Sequence, residues 1–192
     1  MNLILSEFFQ YCDTAYQLST ESKAALAAHI QIKEFKAEAY ILKPGSTANH
    51  ACFVENGLAR SYYIKDEHEV TTKFLPKGSF ITSIFSFYSQ KPGKEFIKTV
   101  IPTTLCCLHY TDLQKLYKEH IEINALGRII TERYLYFLEV ELYNLRKQNA
   151  EDKYKFFLKH YPHIIQICPL KYVASYLGIT IETLSRIRAK QR

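Results

Sequence analysis

Between Ile121 and Asn149 the sequence holds no proline and a single glycine, Gly127. A stretch of that length without a breaker predicts one long helix. Its apolar residues form two stripes: Leu126, Ile130, Phe137 and Val140 on one, and Leu135, Leu138, Leu142 and Leu145 at three-four spacing on the other. One stripe can pack on its own chain. The other needs a cover, and a second copy of the same helix about a two-fold axis is the simplest source, a single broad intramolecular core being the alternative. The expectation is a homodimer joined through residues 121–149.

The segments around this helix differ in kind. Leu18, Leu26 and Ile30 lie among helix formers after the start signal Ser19-Thr20-Glu21-Ser22, so the first thirty residues predict one or two short helices. From Phe35 to about Tyr110 the pattern changes to short β-rich runs, EAYILK, ACFVE, LARSYYIK, EVTTKFL, EFIKTVI and TLCCLHY. Pro44-Gly45, Pro76, Gly78, Pro92, Gly93 and Pro102 break these runs, Asn56-Gly57 predicts a tight hairpin, and Asp66-Glu67-His68 predicts another. Many short strands at such spacing make an antiparallel sandwich or roll. A helical stretch starts at Asp112. Past the long helix, EDKYKFFLKHYP predicts a short amphipathic helix stopped before Pro162, and Pro169 opens another at Leu170. The fold class is therefore α+β: an N-terminal antiparallel β-roll with flanking helices over 1–120, a dimerisation helix over 121–149 and a helical end over 150–192.

Composition limits the chemistry. At 192 residues, 47% of them hydrophobic, the chain is long enough for a folded body and a small second unit. No run approaches the length of a membrane span, and MNLILSEFFQYCDTAY carries acids where a secretory signal carries basic residues, so no membrane association and a cytoplasmic location are expected. The 5 cysteines, Cys12, Cys52, Cys106, Cys107 and Cys168, contain no C-x-x-C pair and read as reduced, mostly buried thiols. Cys106 and Cys107, adjacent in a strand, point to opposite faces and cannot share a metal. His160 and His163 are separated by Pro162 and read as residues of a solvated turn. No metal and no cofactor are assigned.

Charge is distributed unevenly. Before Arg146 there are 15 Lys+Arg against 16 Asp+Glu, and from Arg146 onward 10 against 3, so the body carries −1 and the tail +7. A basic terminal unit on a near-neutral body suits contact with a phosphate backbone.

Within that tail lies a helix-turn-helix pattern. Leu170, Val173, Ala174 and Leu177 give a first short helix its inner side, Gly178 permits a sharp turn, and Thr180 can cap the helix that follows. Ile179, Leu184 and Ile187 are its expected buried residues. Ile181, Glu182, Thr183, Ser185, Arg186, Arg188 and Lys190 remain for solvent or a DNA groove. An arginine there can bond guanine O6 and N7 together, a glutamate can accept from cytosine N4, and hydroxyls can reach phosphates or base edges. Two such helices about 34 Å apart would fit successive major grooves of double-stranded DNA.

On these residues the chain resembles the Crp/Fnr family of bacterial transcription regulators. YVASYLGITIETLSRIRAK is similar to the family's helix-turn-helix, whose E-T-x-x-R pattern reads DNA, and the match falls on Glu182, Thr183 and Arg186. NGLARSYYIKDEHEVTTKFLPKGSFITS resembles the family's effector β-roll, which is like a cyclic nucleotide-binding domain, in the divergent branch found in Bacteroidetes-like bacteria. The resemblance implies a homodimer on a palindromic operator, contact with RNA polymerase and a small-molecule effector.

The family's phosphate-binding cassette, G-E-x-(A/G) followed by R-(S/T)-A, is not kept. Thr82 and Ser83 take the Gly-Glu positions, and Glu95, Phe96 and Ile97 fall on R-S-A. A carboxylate in place of the clamping Arg repels an anion, so cyclic AMP is not the expected effector and the pocket is degenerate. The N-terminal cysteine cluster of oxygen-sensing relatives is also absent. The β-wing that often follows the recognition helix is expected to be missing, leaving its phosphate contacts to Lys171, Lys190, Arg192 or the loops before Leu170. The alternative is a dimeric ligand-binding or protein-interaction module with a vestigial DNA-binding end. An enzyme is not expected, because no G-x-S-x-G, H-E-x-x-H, P-loop or paired-carboxylate motif occurs.

Overall fold

The computed structural model describes residues 5–147 and 149–190. Two helices, α1 (Ser6–Ala15) and α2 (Thr20–His29), precede strands β1 (Gln31–Phe35), β2 (Tyr40–Leu42), β3 (His50–Asn56), β4 (Leu58–Lys65), β5 (His68–Pro76) and β6 (Phe80–Ile81). Then come α3 (Ile84–Ser89), β7 (Phe96–Thr99), β8 (Thr103–His109), α4 (Tyr110–Glu119) and the long α5 (Ile121–Lys147). Helices α6 (Ala150–His160), α7 (Ile164–Ile167), α8 (Leu170–Leu177) and α9 (Ile181–Lys190) complete the described chain. The strands form two four-stranded sheets, ordered β1-β8-β3-β6 and β2-β7-β4-β5.

Alternation along β3 and β8 builds two cores. Cys52 and Val54 of β3, with Leu105 and Cys107 of β8, pack with Ala59, Leu75, Ile81 and Ile97 between the sheets. Their sequence neighbours Phe53, Cys106 and Leu108 point the other way, as the two-residue period of a strand requires, and meet Phe8, Phe9, Cys12, Leu26, Leu116, Ile123 and Leu126 from the helices. Glu55 is buried there and satisfies the exposed start of α1, accepting from the backbone N–H groups of Glu7 at 2.8 Å and Phe8 at 3.1 Å. Ser19 caps α2 by accepting from Ser22 N–H at 3.2 Å, as its start signal predicts.

Three expectations are corrected. Asn56-Gly57 is not a hairpin: β3 and β4 belong to different sheets, and the chain turns a corner between them. Gly57 has φ +106, and a Cβ there would lie 2.5 Å from the Pro102 carbonyl oxygen, so the glycine serves a close approach as well as a turn. The true two-residue hairpin joins β4 to β5 through Asp66 and Glu67, both at positive φ. Second, the thiols are not all reduced: Cys52 and Cys107 face each other across β3 and β8 and form a disulfide, while Cys12, Cys106 and Cys168 are buried thiols outside it. Burial pushes the Cys12 and Cys106 thiols up to about 12, with nearby Asp13 and Glu55 adding to it respectively. Third, His160 is not on a solvated turn. It ends α6 with its ring 4.1 Å from that of Phe156, whereas His163 is exposed just before α7.

The chain divides into two compact units, one of residues up to Ser61 together with Phe74–Glu132, the other of Tyr62–Lys73 with the chain from Arg133 onward. In the first unit Gly127 is fixed by packing, since a Cβ there would fall 2.2 Å from the Tyr117 hydroxyl oxygen. The first α5 stripe begins in this core with Leu126 and Ile130; on the second, Leu135 is 58% and Leu142 38% exposed, while Leu138 and Leu145 are half-buried. Among the described residues no helix is long and apolar enough to cross a membrane.

Candidate nucleic-acid interface

Helix α8 turns its apolar side inward through Val173, Ala174 and Leu177, and Leu170 is half-buried. It ends at Gly178, whose φ of 64° and ψ of 38° lie in the left-handed region, and whose N–H bonds back to the α8 carbonyls. No atom would obstruct a Cβ at Gly178, so the glycine is required by its backbone angle alone. Lys153 of α6 satisfies a further orphan of this helix end, donating to the Leu177 carbonyl at 3.3 Å. Thr180 then opens α9 by accepting from Thr183 N–H at 3.2 Å.

Two residues hold α9 in the fold, Leu184 and Ile187, three apart and buried. This spacing places the remaining positions outward. Thr180, Ile181, Glu182, Ser185, Arg186 and Lys190 are exposed, while Thr183 and Arg188 are half-buried. Ile179, expected on the buried side, is half-buried in the turn before α9. Glu182 and Arg186 stand one turn apart. Bonds from its own backbone N–H and from Thr180, with Arg186 nearby, hold the Glu182 carboxyl below its ordinary range, so it is charged and oriented. Lys190 does not stand alone: its ammonium lies 3.3 Å from Glu151 of α6, an exposed pair that a phosphate would have to displace. Lys171 is exposed on α8, and Arg192 lies outside the described residues.

The same unit holds a polar network, joining α5, α8 and β5, that the sequence did not signal. Glu141 of α5 is buried and accepts a short hydrogen bond from the Tyr176 hydroxyl of α8. Desolvation raises the Glu141 carboxyl above its ordinary value, opposed by Tyr176 and by the charges of Lys73 and His160. The β4–β5 hairpin joins in: Ser175 donates to the Glu69 carbonyl at 2.9 Å and accepts from Thr71 N–H at 3.0 Å, and Lys73 donates to the Tyr134 hydroxyl at 2.6 Å. Helix α8 is thus tied by specific bonds to α5 and to β5. Sequence reading had no route to these partners, which lie far apart along the chain.

The positions expected to hold the cassette lie around α3 and at the start of β7. Thr82 donates to the His50 carbonyl at 3.0 Å. Ser83 is buried with its hydroxyl oxygen 3.3 Å from where a Cβ on Gly93 would stand, and Ser86 bonds both Ala48 N–H at 2.9 Å and the Lys91 carbonyl at 2.5 Å. Glu95 and Phe96 are half-buried, and the Phe96 ring lies 5.9 Å from that of Tyr40. Among the described residues no group of three or more His, Cys, Asp or Glu is placed to hold a metal ion.

A family model described as the cyclic nucleotide-binding domain matches residues 32–120, the strands and α4 just described. The solved structure of FixK2 from Bradyrhizobium japonicum superposes with a TM-score of 0.69 at 18% identity, over 84% of this chain and 83% of that one. The fold is Crp/Fnr-like. Similar to it as well are the c-di-GMP-responsive regulator CLP of Xanthomonas campestris, at 16% identity and TM-score 0.63 over 90% of this chain and 91% of that one, and the catabolite activator protein of Thermus thermophilus, at 18% and 0.58 over 94% and 85%. No curated protein matches the sequence. In this Crp/Fnr-like frame the matched segment contains all four cassette positions, Thr82, Ser83, Glu95 and Phe96, whereas α8 and α9 lie outside it.

Proposed function

We propose that the protein is a sequence-specific transcriptional regulator, a cytoplasmic homodimer that binds double-stranded DNA at a palindromic operator and is not an enzyme. The observation that carries this reading is the outward face of α9. Glu182, Ser185 and Arg186 are exposed on a helix whose opposite side is anchored by Leu184 and Ile187, at the end of a tail of charge +7. In this reading residues 150–192 bind DNA, 121–149 dimerise through the Leu135 and Leu142 stripe, and 1–120 form the effector domain. Arg186 reads a guanine, Glu182 a neighbouring cytosine, and Thr180, Ile181, Thr183 and Ser185 complete the groove contacts. Lys190 exchanges Glu151 for a phosphate. RNA polymerase is the second macromolecular partner.

The effector is a small molecule other than a cyclic nucleotide. A cyclic phosphate needs a cationic clamp, and Glu95 puts a carboxylate there while Thr82 and Ser86 hold backbone partners. Binding-site selection on the wild-type chain tests the function. A palindromic consensus is expected, and retention of only unselected DNA would leave the vestigial-end reading standing.

A further inference from the structure

Helices α5 and α6 enclose an open groove of about 520 Å³ within the second unit. That size is within the range of small-molecule sites, roughly 300–1,000 Å³. Its floor is apolar, made by Phe137 and Val140 of α5 and Phe156 of α6, and its α6 rim carries Lys155, Lys159 and His160. The spacing explains the construction: 152, 155, 156, 159 and 160 recur at three and four residues and share one helix face.

The groove is distinct from the dimer seam. At about 100° per residue, Phe137, Val140 and Asn144 sit across α5 from Leu135, Leu138, Leu142 and Leu145. A partner helix on the leucine stripe therefore leaves the groove open. The charges on its rim are unequal. Asp152 is already engaged, by Lys155 at 3.7 Å and by the Asn149 side chain at 2.9 Å, while Lys159 is exposed and has no acidic partner among the described residues. His160 is held with its ring between Phe156 at 4.1 Å and Phe137 at 5.6 Å, its Nδ1 bonded to the Phe156 carbonyl at 2.9 Å. That bond leaves Nε2 for another partner.

We propose that this groove binds an amphipathic monoanion, an aliphatic carboxylate of medium chain length, with its tail on Phe137, Val140 and Phe156 and its carboxylate at Lys159 and Lys155. An apolar floor bordered on one side by cations complements that ligand and disfavours a neutral or cationic chain. The occupied groove would bridge the helix that dimerises and the first helix of the DNA-binding segment, a natural place for an effector whose cassette has been lost. The binding site stands on the second unit alone. Only its consequence for DNA rests on the proposed regulator function.

Calorimetry with submicellar sodium decanoate on the full chain tests it, with sodium acetate as the head-group control. Decanoate should bind with a dissociation constant on the order of 0.1–1 mM, and acetate should give no saturable heat. Lys155→Ala/Lys159→Ala, which alters two exposed side chains and spares the core, should weaken decanoate about tenfold, equivalent to the loss of one charge-assisted contact. Val140→Gln should weaken it comparably by making the floor polar. No saturable heat from decanoate on the wild type, or binding unchanged in both variants, overturns the proposal. Operator affinity, measured separately with and without decanoate, reports regulation, and a chain that fails to bind any operator leaves the calorimetric result standing.

Discussion

Helices α3 and α9 carry the two sets of residues that the sequence offers as candidate ligand contacts, yet their polar groups are used in opposite ways. Around α3 the hydroxyls turn inward: Ser83 and Ser86 are buried, and Ser86 bridges Ala48 N–H to the Lys91 carbonyl. On α9 the apolar pair Leu184 and Ile187 turns inward, and Glu182, Ser185 and Arg186 remain at the surface. Polar groups that already satisfy backbone partners are not available to a ligand without a desolvation cost. Here the comparison separates hydroxyls held by the fold from an outward polar face open to a partner.

The largest effect should come from blocking the proposed pairing of two α5 helices. Leu135→Asp/Leu142→Asp puts charge on the open stripe of α5 without touching either region. Light scattering should find a monomer, and operator affinity should fall by at least about 100-fold, because two half-site contacts become one. A monomeric wild type at micromolar concentration would break this side of the comparison outright.

Arg186→Ala should cost about 1–3 kcal/mol per half-site and relax the preference at one base pair, with the melting temperature unchanged. Glu182→Ala should relax a neighbouring position. Lys190→Ala should weaken all sequences alike and lower the salt slope by about one per subunit, an effect that its pairing with Glu151 reduces. Unchanged base preference in both Arg186→Ala and Glu182→Ala, measured by binding-site selection, would remove the roles assigned to them.

Ser86→Ala should do the reverse. It strips the Ala48 N–H and the Lys91 carbonyl of their partner in a buried position and should cost about 1–3 kcal/mol in denaturant melts while leaving operator preference intact. Equal losses of stability and selectivity in Ser86→Ala would mean that α3 is not merely structural.

Acid–base behaviour sharpens the contrast with smaller effects. Glu122 is held down to about 2 by bonds from Ser19 and Ser22, so its contribution is present above its unfolded value of 4.5 and is lost as pH falls toward 2. Glu141 has its carboxyl raised by burial, so its contribution is complete below 4.5 and is lost as pH rises through the folded value. Thermal melts of Glu122→Gln and Glu141→Gln against the wild type should flatten opposite limbs of the pH profile, and flattening of the same limb would contradict the assignment. The smallest expected effect is none: cyclic AMP should give no saturable submillimolar heat. A measurable one would show that other roll residues replace the missing Arg.

Much of the framework was readable because its causes are local. The run LARSYYIK is β4 from end to end, α6 stops before Pro162, and Gly178 sits at the left-handed turn between α8 and α9. Other elements gave no such signal. QIKEF of β1 lacks a strict apolar alternation and follows a helix directly, the two residues of β6 are too short for any pattern, and IFSFYS of α3 has the aromatic content of a strand. Asn56-Gly57 carried a hairpin signal but serves a corner, because the dipeptide specifies a reversal without specifying which strand is paired.

The sequence by itself determined the succession of short helices, β-rich body, long helix and helical tail, the two stripes of α5, the charged tail, and Glu182, Ser185 and Arg186 as outward residues of α9. Each follows from periodicity, backbone preference or charge within a few neighbouring positions. Only the tertiary structure decided that Cys52 meets Cys107, that Glu141 is buried against Tyr176, that Lys190 reaches Glu151 and that the Thr82 and Ser86 hydroxyls bond backbone groups. Those pairings join residues far apart in the chain. They depend on strand register and helix packing, which set the distances between side chains that local propensity leaves undetermined.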